Sequence, residues 1–159
     1  MGFSSLNVKM QSLTTDVALG NEHSCAVAGG SLYCWGESIH GQIGSNTDAN
    51  APTKVGASTW KAVAAGYRAS CAIRSDDTLH CFGLGYSSPT EQLGADTTWT
   101  DVAGPPGYNS DEFFALKGAT VHRFKYYSDP SAVAGATSVA RIAVGADHFC
   151  AIKSDGTLW

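Results

Sequence analysis

Charge is scarce in this 159-residue chain: only 15% of its residues are Asp, Glu, Lys or Arg. Ten basic against fourteen acidic side chains leave a net charge of -4. The basic residues form no cluster able to neutralise several phosphates, so nucleic acid is not an expected partner. Long apolar runs are missing too. Stretches such as 63–65 and 142–144 fall far short of the roughly 20 residues that a membrane-spanning helix needs, so no membrane span is expected. Residues 1–15 lack the basic start and the apolar segment of about 7–15 residues that mark a secretory signal. Catalytic signatures are absent as well: there is no Ser-His-Asp order with a nucleophile elbow, no phosphate-cradling Gly-Lys-Ser/Thr loop and no His-Glu-x-x-His. These absences lead us to expect a noncatalytic chain with no cofactor and no metal site.

What the chain has is glycine (18 residues), together with Ala, Ser, Thr and aromatics, a composition that suits short strands and tight turns. A chain of this length can bury roughly two thirds of its unfolded surface, enough for one compact unit. Four segments align with one another. They are VALGNEHSCAV at 17–27, VAAGYRASCAI at 63–73, a degenerate VAGPPGYNSDEFFAL at 102–116, and IAVGADHFCAI at 142–152. A second strand follows each: SLYCWG, TLHCFG, TVHRFK and TLW. Gly20, Gly66, Gly107 and Gly145 are read as the anchoring glycines of the four turns, and variable connectors account for their uneven spacing. Between the paired strands, Gly29-Gly30, Asp76-Asp77, Gly118 and Asp155-Gly156 supply hairpin chemistry. The segment ESIHGQIGSNTDANAPTKVG is read as a surface excursion, because Gly41, Gly44 and Pro52 rule out a long helix.

A period near 40 residues with several short strands predicts an all-β fold of β-propeller blades. The motifs G-x-x-H-x-C-A-[IV], S-D-G-T-L-W, C-W-G and G-Q-[IL]-G resemble the regulator-of-chromosome-condensation repeat, in the form of secreted bacterial-type repeats with paired cysteines. Gly20, His23, Cys25, Trp35, Gly36, Gly41, Gln42 and Gly44 carry the resemblance in the first copy, and Gly94 after Gln92-Leu93 is taken as its loop in the second. The resemblance implies three to four blades, an incomplete arc of a six- or seven-bladed propeller. Residues 1–12 are expected to be a lead-in, followed by repeats at about 13–58, 59–97, 98–137 and a partial one at 138–159. An open arc leaves strand edges unsatisfied. Either the remaining blades belong to a longer chain, the reading favoured by an unpartnered Cys150, or copies self-assemble to complete a ring.

Counting across the hairpins sets Cys25 opposite Cys34 and Cys71 opposite Cys81, while Phe114 and Arg123 take these positions in the third copy. Opposed residues in an antiparallel pair lie roughly 4.5–5.5 Å apart, within disulfide reach. Loss of both cysteines together favours disulfides over reduced buried thiols, and metal binding is a weaker third reading. Disulfides favour an extracellular or cell-surface setting, with a cytoplasmic one as the alternative.

His23 and His148 share a repeat position, which points to an architectural role. Glu22, Asp111, Glu112 and Asp147 read as solvated turn acids rather than an acid-base pair or a calcium loop. Corresponding turns of successive blades share one face, which would display Asn21, Glu22, Tyr67, Arg68, Tyr108, Asn109, Asp111 and Glu112 to a protein partner. The expected function is a noncatalytic protein-interaction or structural module. The alternatives are regulation of a small GTPase or enzyme inhibition, both implied by the resemblance, and a hydrolase on a propeller, which would need carboxylates at the central channel.

Overall fold

A computed structural model describes residues 14–86, 91–105, 107, 112–125 and 128–159 of the chain. The expected lead-in at 1–12 lies outside these residues, as do Tyr108, Asn109 and Asp111. The described residues form strands and turns with no helix.

Three four-stranded antiparallel sheets and a two-stranded one follow one another along the chain. The first sheet contains β1 (Thr14–Leu19), β2 (His23–Ala28), β3 (Ser31–Gly36) and β4 (Ala49–Lys54). The second contains β5 (Trp60–Ala65), β6 (Ala69–Arg74), β7 (Leu79–Gly83) and β8 (Glu91–Gln92). The third contains β9 (Trp99–Ala103), β10 (Phe113–Lys117), β11 (Thr120–Phe124) and β12 (Ser131–Ala132), and β13 (Val139–Val144) pairs with β14 (Phe149–Lys153). Strand order within each full sheet is sequential, the meander of a propeller blade. β1, β5, β9 and β13 line one groove of about 660 Å³, the wall of a central channel. These inner strands are rich in Ala and Val, because several blades converge where they lie and space is tightest.

Apolar clusters hold the blades face to face. Cys25, Val27, Leu32 and Cys34 of the first blade meet Trp60, Val63, Ala72 and Phe82 of the second. Cys71, Ile73, Leu79 and Cys81 of the second meet Trp99, Val102, Phe113 and Ala115 of the third, and Phe114, Leu116 and Val121 of the third meet Val139, Ile142 and Ala151. Each such Leu, Ile or Val contributes roughly 1.5–3 kcal/mol by leaving water. Between blades the backbone also bonds: the N–H of Trp60 donates to the Gly30 carbonyl (2.9 Å), that of Trp99 to Asp77 (3.1 Å) and that of Val139 to Ala119 (2.9 Å).

Three sequence expectations are corrected. Pairing of Phe114 with Ala103 aligns the third copy with Ala18, Ala64 and Ala143, which face Cys25, Cys71 and Cys150. The anchoring turn of that copy therefore begins at Gly104-Pro105, and Gly107 instead abuts Ala146, whose Cβ lies 2.6 Å from where a Cβ on Gly107 would sit. Second, the supposed surface excursion after β3 is partly interior. Gln42 and Ile43 are 1% and 3% exposed, and Ile43 joins the cluster between the first two blades, because the loop folds back over the next sheet. Third, Leu93-Gly94 does not repeat that loop. The N–H of Leu93 donates to Leu79 as that of Val55 does to Leu32, and Gly56 and Gly94 share positive φ values of 62° and 67°, so the true counterpart is Val55-Gly56.

Candidate interaction face

The hairpin register is the one the turns dictate: Cys25 faces Cys34, Cys71 faces Cys81, and Phe114 faces Arg123. Cys25–Cys34 and Cys71–Cys81 are disulfide-bonded, each with a Cα separation of 4.1 Å, and both are fully buried. They brace the two interior hairpins whose outer faces meet the next blade. Cys150 is a free, exposed thiol at the same repeat position.

The first two blades are joined by a buried polar hub. His23 Nε2 lies 2.7 Å from the Ser70 hydroxyl, which donates to the Gln42 carbonyl at 2.8 Å. Because Ser70 gives its proton to Gln42, His23 must carry its proton on Nε2 and donate to Ser70. A serine nucleophile needs the reverse arrangement, and Ser70 is fully buried, so this Ser-His contact is architectural. Burial holds the His23 pKa down to about 4, which keeps the ring neutral. The ring lies over Gly20, where a Cβ would come within 2.5 Å of His23 Cε1, and His148 lies over Gly145 in the same way. The G-x-x-H spacing is thus a packing motif.

Two carboxylates at the channel wall act as clamps. Asp16 accepts the N–H of Val17 at 3.0 Å and, from the neighbouring blade, that of Val63 at 2.8 Å. Asp101 repeats this with Val102 at 3.0 Å and with Ile142 of the fourth sheet. Partial burial raises the Asp101 pKa, those two N–H groups and Arg141 oppose the rise, and the charge of Asp16 adds to it. Each clamp sits at an irregularity in the ladder, between Thr14 and Asp16 in one case and beside Leu116-Lys117 in the other, which turns the carboxylate toward the next blade. Sequence reasoning missed these residues, since nothing in the local pattern reveals a contact between blades. Both oxygens of Asp16 thus accept backbone N–H groups, an architectural use of the carboxylate. Among the described residues, no group of three His, Cys, Asp or Glu side chains could hold a metal ion.

The turns after β1 and β5 and the loop after β3 emerge at one end of the blades. There Glu22, Glu37, Asp48 and Arg68 interact: the Glu37 carboxyl is hydrogen-bonded to Glu22, which raises its pKa, and Arg68 opposes the rise. Asn21 and Glu22 are exposed, Arg68 is half-buried and Glu112 is partly buried. Tyr67 is only 7% exposed; its ring lies beneath the Arg68 guanidinium, 4.4 Å from ring centre to Cζ. Arg68 also donates to the Tyr67 hydroxyl at 3.0 Å, so the tyrosine acts as the arginine's support.

Sequential four-stranded blades around a channel define a β-propeller arc. Residues 29–73 match the family model of the regulator of chromosome condensation (RCC1) repeat, and residues 60–88 match a second model of the same description. These matches fall on the first two blades. No curated protein matches it in sequence. Among solved structures, human WBSCR16 is similar at 20% identity with a TM-score of 0.76, over 94% of this chain and 48% of its own. Prp20p from Saccharomyces cerevisiae, described with its binding properties to Gsp1p and histones, has 18% identity and a TM-score of 0.75, over 89% of this chain and 42% of its own. The CRINKLY WD40 ectodomain of the Arabidopsis thaliana receptor kinase ACR4 has 18% identity and a TM-score of 0.56, over 94% of this chain and 51% of its own. The chain thus spans about half the length of these relatives, and at such identities they share its fold. No helix among the described residues is long and apolar enough to cross a membrane.

Proposed function

We propose that this chain is a noncatalytic protein-interaction module that binds a protein partner through the turn face bearing Asn21, Glu22, Arg68 and Glu112, with Tyr67 as the support of Arg68. Tyr108, Asn109 and Asp111 belong to the same proposal by sequence alone. The observation that carries it is the convergence of Glu22, Glu37, Asp48 and Arg68 from two blades on one face, a mixed-charge patch beside an arginine held by an aromatic ring. Arginine seated on tyrosine is the sort of side chain that dominates protein interfaces. By contrast, the polar groups of the interior and of the channel clamps described above are committed to architecture, which leaves the face as the available chemistry.

The cysteines support an oxidising setting for this module. Two buried disulfides persist in an oxidising compartment, so we place the module outside the cell or at its surface, in contrast with GTPase regulation in a reducing one. Immobilised native chain and an E22K/R68E variant, incubated with the extracellular protein fraction of its source, test the reading. The native chain should retain a partner that the variant loses and that D155A/T157A, altered at the opposite end of the blades, still retains. Equal retention by all three chains would overturn it.

A further inference from the structure

The contact between the third and fourth sheets is built differently from the two before it. Where the first two blades set His23 against Ser70, the third sheet offers Glu112 and the fourth Phe149. The cysteine positions of the third blade hold Phe114 and Arg123, so a ring and a guanidinium stand where each earlier blade has a compact disulfide. The connection from β11 to β12 has six residues, 125–130. Twelve residues, 37–48, join β3 to β4 and bring Gln42 and Ile43 into the contact between the first two blades. Between the third and fourth sheets lies a cavity of about 370 Å³, whose lining includes Glu112, Phe114, Arg123, Val133, Asp147 and Phe149. The Phe114 and Phe149 rings, 4.5 Å apart between centroids, form an aromatic wall. Among the described residues, no ion pair or side-chain hydrogen bond engages Glu112, Arg123 or Asp147.

We propose that this cavity binds a free aromatic α-amino acid, with its carboxylate on Arg123, its ammonium on Glu112 and Asp147, and its ring against Phe114 and Phe149. The volume lies at the small end of the roughly 300–1,000 Å³ range of ligand sites, which suits a molecule with a single ring system. A planar guanidinium with no partner matches a carboxylate through two parallel hydrogen bonds. The two acidic side chains would repel a ligand that carried only that carboxylate, so a matching occupant also bears a positive charge. Aromatic walls favour a ring by stacking or edge contact. The site is separate from the Glu22–Arg68 patch of the first two blades and stands or falls independently of it.

Titration of isotope-labelled native chain with L-phenylalanine, followed by NMR, tests this. Saturable shifts centred on the cavity residues are expected, with a single ligand per chain. Phenethylamine, 3-phenylpropanoate and L-alanine, which lack the carboxylate, the ammonium and the ring respectively, should each bind about tenfold more weakly or worse. R123Q should weaken phenylalanine by a similar factor and leave phenethylamine unchanged, while E112Q should weaken phenylalanine and leave 3-phenylpropanoate unchanged. D155A/T157A should bind phenylalanine as the native chain does. The analogue series on the native chain decides the matter even if a variant fails to fold. No saturable binding, shifts centred elsewhere, or equal binding of phenylalanine and its analogues would overturn the proposal, as would R123Q weakening phenylalanine and phenethylamine alike.

Discussion

Phe113 of the third blade fills the space over Gly66 that the side chain at position 69 leaves empty. Between the first two blades this level holds His23 hydrogen-bonded to Ser70; one blade further on, the equivalent positions are Ala69 and Phe113. A Cβ on Gly66 would lie 2.7 Å from Phe113 Cζ, as one on Gly20 would lie 2.5 Å from His23 Cε1. A polar pair of one large and one small side chain has been exchanged for an apolar pair with the sizes reversed.

The exchange makes the two sites interdependent. A69H should destabilise the chain by about 1–3 kcal/mol through overpacking against Phe113. The A69H/F113S double variant, which rebuilds the polar pair, should recover part of that loss, and chemical denaturation of all four chains measures the coupling. Additive losses would show that the positions do not share a space.

The channel clamps predict a gain as well as a loss. D16A removes the acceptor of two N–H groups and should cost roughly 1–3 kcal/mol. A62D would offer the second blade the clamp it lacks, aimed at Val102, and should raise the denaturation midpoint. No gain from A62D would mean that the bond from Asp101 to the Val102 N–H leaves no room for a second acceptor.

Acid should weaken the fold through histidine. The pKa values of His23 and His80 are lowered to about 4, chiefly by burial, whereas an unfolded histidine titrates near 6.5. The unfolded chain therefore binds more protons in this window. Stability is full above pH 6.5 and falls as the pH drops toward 4, by up to about 1.4 kcal/mol per pH unit for each histidine. Denaturation midpoints measured from pH 7.5 to 4.5 should show this slope, and H23Q should reduce it.

Reduction should be costly. Each disulfide closes a short loop across a hairpin, so a loss on the order of 2–4 kcal/mol per bond is expected. Intact mass should rise by about 2 Da for each bond reduced, and C25A/C34A should lower the melting temperature while leaving the Cys71–Cys81 bond in place.

Local chemistry made much of this fold legible. Gly29-Gly30 and Asp76-Asp77 fix their hairpins closely enough that Cys25–Cys34 and Cys71–Cys81 follow by counting, and the degenerate third copy still yields Phe114 opposite Arg123. What stayed hidden depends on contacts between blades. The clamp of Asp16 on Val63 and the burial of Gln42 arise where curvature brings distant turns together. The third turn was misplaced because Gly107 looks like an anchor in isolation, whereas the register runs through Ala103.

The most direct test of the interaction face is site-specific photocrosslinking with a reactive side chain at Asn21, and separately at Asp155 on the opposite end, in the presence of the retained partner. Crosslinks from position 21 and none from position 155 are the predicted result. Crosslinks from position 155 alone would contradict the account and move the binding surface to the hairpin turns.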